Sequence, residues 1–528
     1  MRFFNTSGPV DASRHYTLPP LSRLDWAEVE LLIEQQRYFV LHAPRQTGKT
    51  STLLALMERL NGEGRYRCCY ANIEAAQAAR EDVFEAIRAV LSVMASSAEI
   101  YLQDRTLADC WPDVLRRSGP YDAMRQSLLH WAQADPRPLV LLLDEIDALM
   151  GDSLIAVLRQ LRAGYAQRPR HFPATVILCG VRDVRDYRIR SSRDNAIVTG
   201  GSAFNIKAES LRLGNFSEAE MRQLLAQHTA ETGQVFQKQA LEAFWQLTRG
   251  QPWLVNALAY QVCFKMPGGR ERSRNIDLAL VTEAKEQLIL RRDTHLDQLA
   301  DKLQEERVRR VIAPLLAGSE QQQEDFRPDD VGYVRDLGLI QVAPNGRVEI
   351  ANAIYREIIP RELNYGAQLT ITQETAWYQR PDGSLDLDKL LSAFQAFFRE
   401  HSEHWIERFD YKEAGPQLLL QAFLQRIVNG GGRIEREYGL GRRRTDLLVV
   451  WPQVQPEQRM VLELKIVHKG REATVREGLA QIVEYLERCG SQEGHLVLFD
   501  RDPERPWSEK LFRGEEGYKG YKVRVWGM

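Results

Sequence analysis

Eight residues constrain this chain most: "APRQTGKT", positions 43–50. They follow "YFVLHA" (38–43), a short apolar run rich in strand formers, and lead into "TSTLLALMERL", where apolar residues return at helical spacing. A strand that turns through a glycine-containing loop directly into a helix brings backbone N–H groups together, and phosphate is the anion such a loop wraps. Glycine permits the positive φ and close approach this needs. Ala43 stands where the pattern usually has its first glycine. Ala43, Pro44, Arg45, Gln46, Thr47, Gly48, Lys49, Thr50 and Ser51 are therefore expected to cradle a nucleotide. Lys49 should reach the β- and γ-phosphates, and the Thr50 hydroxyl should bind Mg²⁺. The bland alternative is a glycine turn ahead of an amphipathic helix.

Such a loop calls for a second, acidic strand, and "RPLVLLLDEIDAL" (137–149) supplies one. Strands apolar on both faces are what a parallel sheet covered by helices requires. Asp144 falls where the Mg²⁺ shell is completed, and Glu145 where a water can be polarised for attack on the γ-phosphate. A third apolar strand, "ATVILCGVRD" (174–183), ends in polar residues and resembles the sensor strand of AAA-type ATPases, which implies a phosphate-sensing role for Arg182; a surface arginine fits the sequence as well. Further on, Ser217 and Glu220 form a capping-box signature opening a helical region that contains "TRGQPWLVNALA" (248–259).

Bulk numbers fit a multidomain soluble protein. The chain has 528 residues, too many for one core, with 44% hydrophobic and 27% charged residues. A net charge of −2 means that any nucleic-acid binding must come from local patches. The six cysteines form no CxxC pair, which points to a reducing, cytoplasmic setting. No signal-like N-terminus or membrane-length apolar run is evident, so no membrane partner is expected.

The set "HAPRQTGKT", "LLLDEID", "CGVRDVRDY" and "GQPWLVNALA" resembles bacterial AAA-like ATPases related to the archaeal-ATPase and STAND groups. That resemblance implies ATP as ligand and a lid element near the nucleotide, which maps onto Gly250 and Pro252. It also implies that the lead-in "SGPVDASRHYTLPPLSRLDWAEVELLI" lies near the adenine base. Structurally, Gly-Gln-Pro could equally just end a helix. In the middle, 306–365 reads as helix, loop, helix and hairpin, with Asn345-Gly346 as a tight-turn signal. This arrangement resembles a winged helix, expected to pack on the nucleotide domain because nothing in it is notably basic. Residues 369–388 read as the connection to the C-terminal region.

That C-terminal region has a different character. A helix through "KLLSAFQAFFREHSEHWIERF" and a second ended by "GGG" precede three strand-like runs, "RIEREYGL", "RTDLLVVW" and "MVLELKIV". Then come a long amphipathic helix, "REATVREGLAQIVEYLERCG", and the strand "GHLVLFD". In "MVLELKI" the period of two puts Glu463 and Lys465 on one face, so either a solvated ion pair or a metal site fits that strand alone. The element order and residues resemble the PD-(D/E)XK nuclease fold: Glu413 on a leading helix, Asp446 on the second strand, and Glu463 and Lys465 on the third. Gln481 and Tyr485, four apart on one helix face, resemble the QxxxY of one branch. In that reading Asp446 and Glu463 hold a hard cation, Mg²⁺ or Mn²⁺. Lys465 activates water and stabilises charge, and Gln481 supplies a neutral contact. Arg442, Arg443 and Arg444 could grip phosphates beside the scissile bond, or form a solvated basic hairpin.

The whole resembles fusions of an AAA-like ATPase to a PD-(D/E)XK nuclease. It implies an α/β multidomain chain: a P-loop ASCE ATPase domain (1–205), helical lid (206–300), winged-helix-like domain (301–366), linker and leading helix (367–400) and nuclease domain (401–528). The leading expectation is an ATP-controlled, metal-dependent nuclease cleaving DNA, by analogy in defence against foreign DNA. Its alternatives are a STAND-like switch that self-assembles on a protein trigger with the nuclease as effector, and an ATPase that binds nucleic acid without cutting it.

Overall fold

The computed structural model describes the chain except residues 183–187, 191–196, 200–203, 292–300, 318–325, 344–345, 360–376, 409–415, 418, 422, 425–431, 441–442, 468–469, 492, 501 and 503. For 188–190, 197–199, 290, 400–408, 435–440, 443–446 and 488–489 it describes the backbone alone. The chain forms two compact units, Met1–His295 with Val331–Gln341, and Leu296–Asp330 with Val342–Met528. Among the described residues no helix is long and apolar enough to cross a membrane.

The first unit is built on five parallel strands: β1 (Tyr38–His42), β2 (Arg67–Asn72), β3 (Leu139–Asp144), β4 (Thr175–Gly180) and β5 (Lys207–Arg212). They lie in the order β2-β3-β4-β1-β5, so β4 sits between the loop strand and the acidic strand. Alternation sorts their side chains into two cores. Tyr38, Val40, Leu141, Leu143, Val176 and Leu178 join one, with Val90, Leu91 and Met94 of α2 (Val83–Leu102). Phe39, Leu41, Val140, Leu142, Ile177 and Cys179 join the other, with Leu53, Leu56 and Leu60 of α1 (Lys49–Glu63). Strands buried on both faces explain the unbroken apolar runs.

The lid follows as α3 (Glu218–Thr232), α4 (Lys238–Thr248), α5 (Pro252–Tyr260) and α6 (Leu278–Leu290). The capping box forms at the start of α3: Ser217 Oγ accepts from Glu220 N–H, and Glu220 accepts from Ser217 N–H at 2.7 Å. The N-terminal segment is anchored to this lid. Phe3–Phe4 pairs in parallel with His15–Tyr16, Phe4 packs against His228, and Thr17 and Gln227 exchange two hydrogen bonds of 3.2 and 2.8 Å.

In the second unit, Gly346 turns the chain at φ +80°, and Ala343 N–H donates to Arg347 O at 2.8 Å. Its sheet has six strands: β6 (Arg433–Leu440), β7 (Arg443–Trp451), β8 (Gln458–Ile466), β9 (Glu493–Phe499), β10 (Phe512–Tyr518) and β11 (Tyr521–Gly527). The order is β6-β7-β8-β9-β11-β10. β6–β7–β8 run antiparallel, whereas β8, β9 and β11 are parallel. α8 (Arg471–Cys489) is the crossover from β8 to β9 and buries Leu479, Ile482, Val483 and Leu486 against Leu448, Val461 and Leu496. The other face meets α7 (Leu387–Arg408), where Phe398 contacts Phe499 and Gln395 donates to the carbonyls of Phe512 and Gly527. The sequence reading stopped at β9. The hairpin β10–β11 escaped it because β10 is exposed along most of its length and lacks an apolar stripe.

Candidate functional site

Strand β1 delivers the chain into the loop at Ala43. Gln46 at φ +57° and Gly48 at φ +91° then curl it so that α1 begins at Lys49. A Cβ on Gly48 would come within 3.2 Å of Arg23 Nη1, so glycine is needed there for space as well as for φ. Thr47 Oγ1 ties the curl together by donating to Pro44 O at 2.7 Å. Lys49 is buried, and its Nζ donates to Ala43 O at 2.9 Å and Pro44 O at 3.1 Å. The ammonium thus lies inside the loop's own curve, where phosphate oxygens would compete for it.

From across β4, Asp144 meets the start of α1. Its Oδ2 accepts from Thr50 Oγ1 at 2.7 Å and from the Tyr70 hydroxyl at 3.0 Å, and its Oδ1 accepts from Glu145 N–H at 3.0 Å. Asp144 has no exposed surface. A threonine hydroxyl and a carboxylate in contact beside a phosphate loop form a hard-oxygen donor pair that fits Mg²⁺. Burial and the nearby Asp144 carboxylate push the Tyr70 phenol far above its ordinary range. Tyr70 was missed in the sequence, since a tyrosine on a neighbouring strand has no motif; only the parallel register, Tyr70 beside Leu142, brings it in.

Glu145 adopts φ +59°, unusual for a non-glycine residue. Burial raises its carboxyl pKa, with the nearby Lys49 charge opposing. Asp147 is raised as well, again by burial, and it accepts from Val181 N–H at the end of β4. Gly180 makes room for that contact, since a Cβ there would lie 2.5 Å from Asp147 Oδ2. Arg182 lies close enough to favour the charged form of Asp147, and its guanidinium sits 5.0 Å from the Tyr333 ring centre.

Beyond the loop opens a cleft of about 750 Å³, counting the solvent at its mouth. Gln46, Thr47, Gly48, Ser51 and Pro252 line it together with residues of the N-terminal segment. Ser51 Oγ also accepts from Val10 N–H at 3.1 Å, fastening that segment to α1. Gly250 is not in the wall. It holds Phe216, which is: Phe216 N–H donates to Gly250 O at 2.8 Å, and Gly250 turns at φ +71°. Arg23 went unnoticed in the sequence. Its Nη1 donates to Thr47 O at 2.5 Å and its Nη2 to Gly214 O, and it lies over the Phe216 ring. Burial pulls its pKa down to about 10.

The loop and the lid border this cleft, while Lys49, Thr50, Asp144, Glu145 and Arg182 are not among the residues that line it. The AAA-like domain family matches residues 26–359. This chain belongs to that family. It is therefore an AAA-like protein of the P-loop ATPase type, and the matched stretch ends before the second sheet begins. Among solved structures, the Walker-type ATPase PABY2304 of Pyrococcus abyssi is 14% identical, covering 67% of this chain and 99% of its own, with a TM-score of 0.47. Cdc6p of Pyrobaculum aerophilum is 14% identical over 66% of this chain and 95% of its own, with a TM-score of 0.36. The RuvB Holliday junction branch migration motor of Thermotoga maritima is 13% identical over 63% and 93%, with a TM-score of 0.31. No curated protein matches the chain.

In the second unit of this AAA-like protein, Glu463 is 3% exposed, and its Oε1 lies 3.2 Å from Lys465 Nζ. Both share the α8-facing side of β8 with Val461, which packs into the core beneath that helix. The antiparallel β7–β8 ladder ends at the Leu447–Leu462 pair, and Asp446 and Glu463 are the next residue along each strand, beyond the paired positions. On α8, Tyr485 is in the apolar layer, while Gln481 Oε1 is buried without a hydrogen bond to any described residue. Glu413 and Arg442 lie outside the described residues, and Asp446, Arg443 and Arg444 are described as backbone only. Among the described residues no three His, Cys, Asp or Glu side chains gather as metal ligands.

Proposed function

We propose that this protein binds and hydrolyses ATP, and that its nucleotide state controls a metal-dependent PD-(D/E)XK nuclease in the second unit that cleaves DNA, in a setting such as the destruction of foreign DNA. The observation that carries the nuclease reading is the β7–β8 register, whose last pair, Leu447–Leu462, is followed on the two strands by Asp446 and Glu463, with Lys465 beside Glu463. It is supported by the sheet's antiparallel-then-parallel order and by the crossover helix bearing Gln481 and Tyr485.

In the first unit, Lys49 and the loop N–H groups bind the phosphates, and Glu145 accepts a proton from the attacking water. Mg²⁺ held by Thr50 and Asp144 would supply positive charge at the phosphate oxygens. In the second, Asp446 and Glu463 would hold a divalent cation, which supplies Lewis acidity at the scissile phosphate. Lys465 orients water and offsets the charge that grows on phosphorus-bound oxygen, and the buried Gln481 Oε1 accepts a hydrogen bond from that water.

The test is Mg²⁺- or Mn²⁺-dependent cleavage of DNA and RNA, with and without ATP, by wild type, Lys49→Ala and Asp446→Ala. The expected result is cleavage that Asp446→Ala abolishes and that Lys49→Ala uncouples from ATP. Absence of cleavage under every condition would refute the nuclease reading. Cleavage that survives Asp446→Ala would refute the assigned site.

A further inference from the structure

The turn after the acidic strand carries a carboxylate of its own, Asp147. Ile146–Ala148 forms one turn of 3-10 helix, with Ala148 N–H donating to Glu145 O at 2.9 Å and Leu149 N–H to Ile146 O at 3.2 Å. Ile146, Ala148 and Leu149 are buried, so the core fixes this turn. Asp147 is the polar residue in it, and its Oδ2 accepts from Val181 N–H. β4 ends at Gly180, whose carbonyl accepts from Ala43 N–H at 3.2 Å, and Val181 is the first residue beyond the strand. Gly180 is shaped for the arrangement, since a Cβ there would lie 2.5 Å from Asp147 Oδ2 and 2.9 Å from Ile146 Cγ2. The Asp147 side chain thus ties the Glu145 turn to the end of β4, one residue before Arg182.

Asp147 is close both to Arg182 and to the phosphate loop, because Arg182, Lys49 and Arg45 each favour its charged form. The Arg182 guanidinium lies 5.0 Å from the Tyr333 ring centre, a soft attraction, so the point where its main chain is pinned decides how far it reaches. We propose that Asp147 is a positioning residue for ATP hydrolysis: by pinning Val181 to the Glu145 turn, it sets the base and the Arg182 cation on one frame, turned to the same phosphate. This rests on the reading of Glu145 as the base of an ATP-hydrolysing site, and adds to it the residue that keeps Arg182 in register with that base. A hydrogen bond to a carboxylate is roughly twice as strong as one between neutral groups. Its loss frees the end of β4, and a displacement of about 1 Å at a reacting centre can cost about 100-fold in rate. ATP binding should persist, because Lys49 and Thr47 keep their own bonds to the Ala43 and Pro44 carbonyls.

The experiment is steady-state ATP hydrolysis by the full chain, with kcat and KM read separately. Asp147→Ala should lower kcat about 10- to 100-fold and leave KM within about three-fold. Asp147→Asn keeps an oxygen acceptor for Val181 N–H and should recover most of that loss. In an Arg182→Ala background, adding Asp147→Ala should change kcat by less than about three-fold, because the group being positioned is already gone. Gly180→Ala, which displaces the Asp147 carboxylate without removing it, gives the same kcat readout where Asp147→Ala lacks a cooperative melt. An unchanged kcat for Asp147→Ala, a loss confined to KM, an asparagine variant as slow as alanine, or losses that multiply across Asp147 and Arg182 would each overturn the inference while leaving Glu145 as the base. A wild type that hydrolyses no ATP would overturn both.

Discussion

Gly250 decides whether the Gly-Gln-Pro turn merely ends a helix or builds the nucleotide cleft. Gly250→Ala separates the two by sign. A turn that simply ended α4 in a conformation alanine tolerates would gain up to about 1 kcal/mol, because alanine narrows the unfolded ensemble. The structure requires a loss. Gly250 turns at φ +71°, where an L-residue with a Cβ costs roughly 1–2 kcal/mol. A Cβ there would also collide with the Phe216 carbonyl, so the 2.8 Å bond from Phe216 N–H to Gly250 O must stretch or break, at about 1 kcal/mol. The sum is about 2–3 kcal/mol, or a melting temperature lower by about 4–6 °C. Because Phe216 forms part of the cleft wall and lies beneath the Arg23 guanidinium, ATP affinity should fall with it. Thermal melts and ATP titration of wild type and variant read both effects. A melting temperature equal to or above wild type would refute the reasoning and return the turn to a helix stop.

Two further outcomes concern the acidic strand. Tyr70→Phe removes one donor from the fully buried Asp144 carboxylate and should cost about 1.5–3 kcal/mol in denaturant titrations; a loss under about 0.5 kcal/mol would show that the hydroxyl does not solvate that charge. Glu145 has its folded pKa raised above 4.5, so the fold favours its protonated form, and its contribution to stability is greatest below 4.5 and declines as pH rises through the folded pKa. Gln mimics the protonated form. Glu145→Gln should therefore match wild type in stability at low pH, exceed it at neutral pH and lose ATP turnover, and a stability gap independent of pH would contradict the burial argument.

What could be read from residues and what could not divides along a physical line. The phosphate loop, the acidic strand and the capping box are local: their chemistry is carried by neighbours in sequence, and they fold where the letters place them. Gln46, Thr47, Gly48 and Ser51, which line the cleft, belong to that local loop pattern, whereas Pro252 followed only from the family resemblance and its neighbour Gly250 lies outside the wall. Tyr70 and Arg23 were not legible, because each acts through a partner that only the sheet register or the packing of the lead-in on the loop brings near. Tyr70 reads as one more strand-forming aromatic, and Arg23 as a surface arginine in a Pro-rich lead-in. In the second unit, the strands β6 to β9 showed themselves through alternation, while the exposed β10 had no apolar stripe to announce it.

The Glu463–Lys465 pair bears on why a nuclease reading is preferred to an ion pair kept for stability. Val461, Glu463 and Lys465 occupy successive positions on the α8-facing side of β8, and Val461 is packed in an apolar layer with Leu448, Ile482 and Leu496. At 3% exposure the Glu463 carboxylate has lost nearly all its water, and an attraction across 3.2 Å to a lysine with 22% exposure only about offsets that loss. Leucine and methionine would fill the same volume without the desolvation. The double variant Glu463→Leu/Lys465→Met should accordingly be as stable as wild type or more stable, by up to about 4 kcal/mol, in denaturant titrations. It should at the same time cleave no DNA. A double variant destabilised by more than about 1 kcal/mol would show that the pair holds the sheet together, and the case for a catalytic strand would then lose its main physical support.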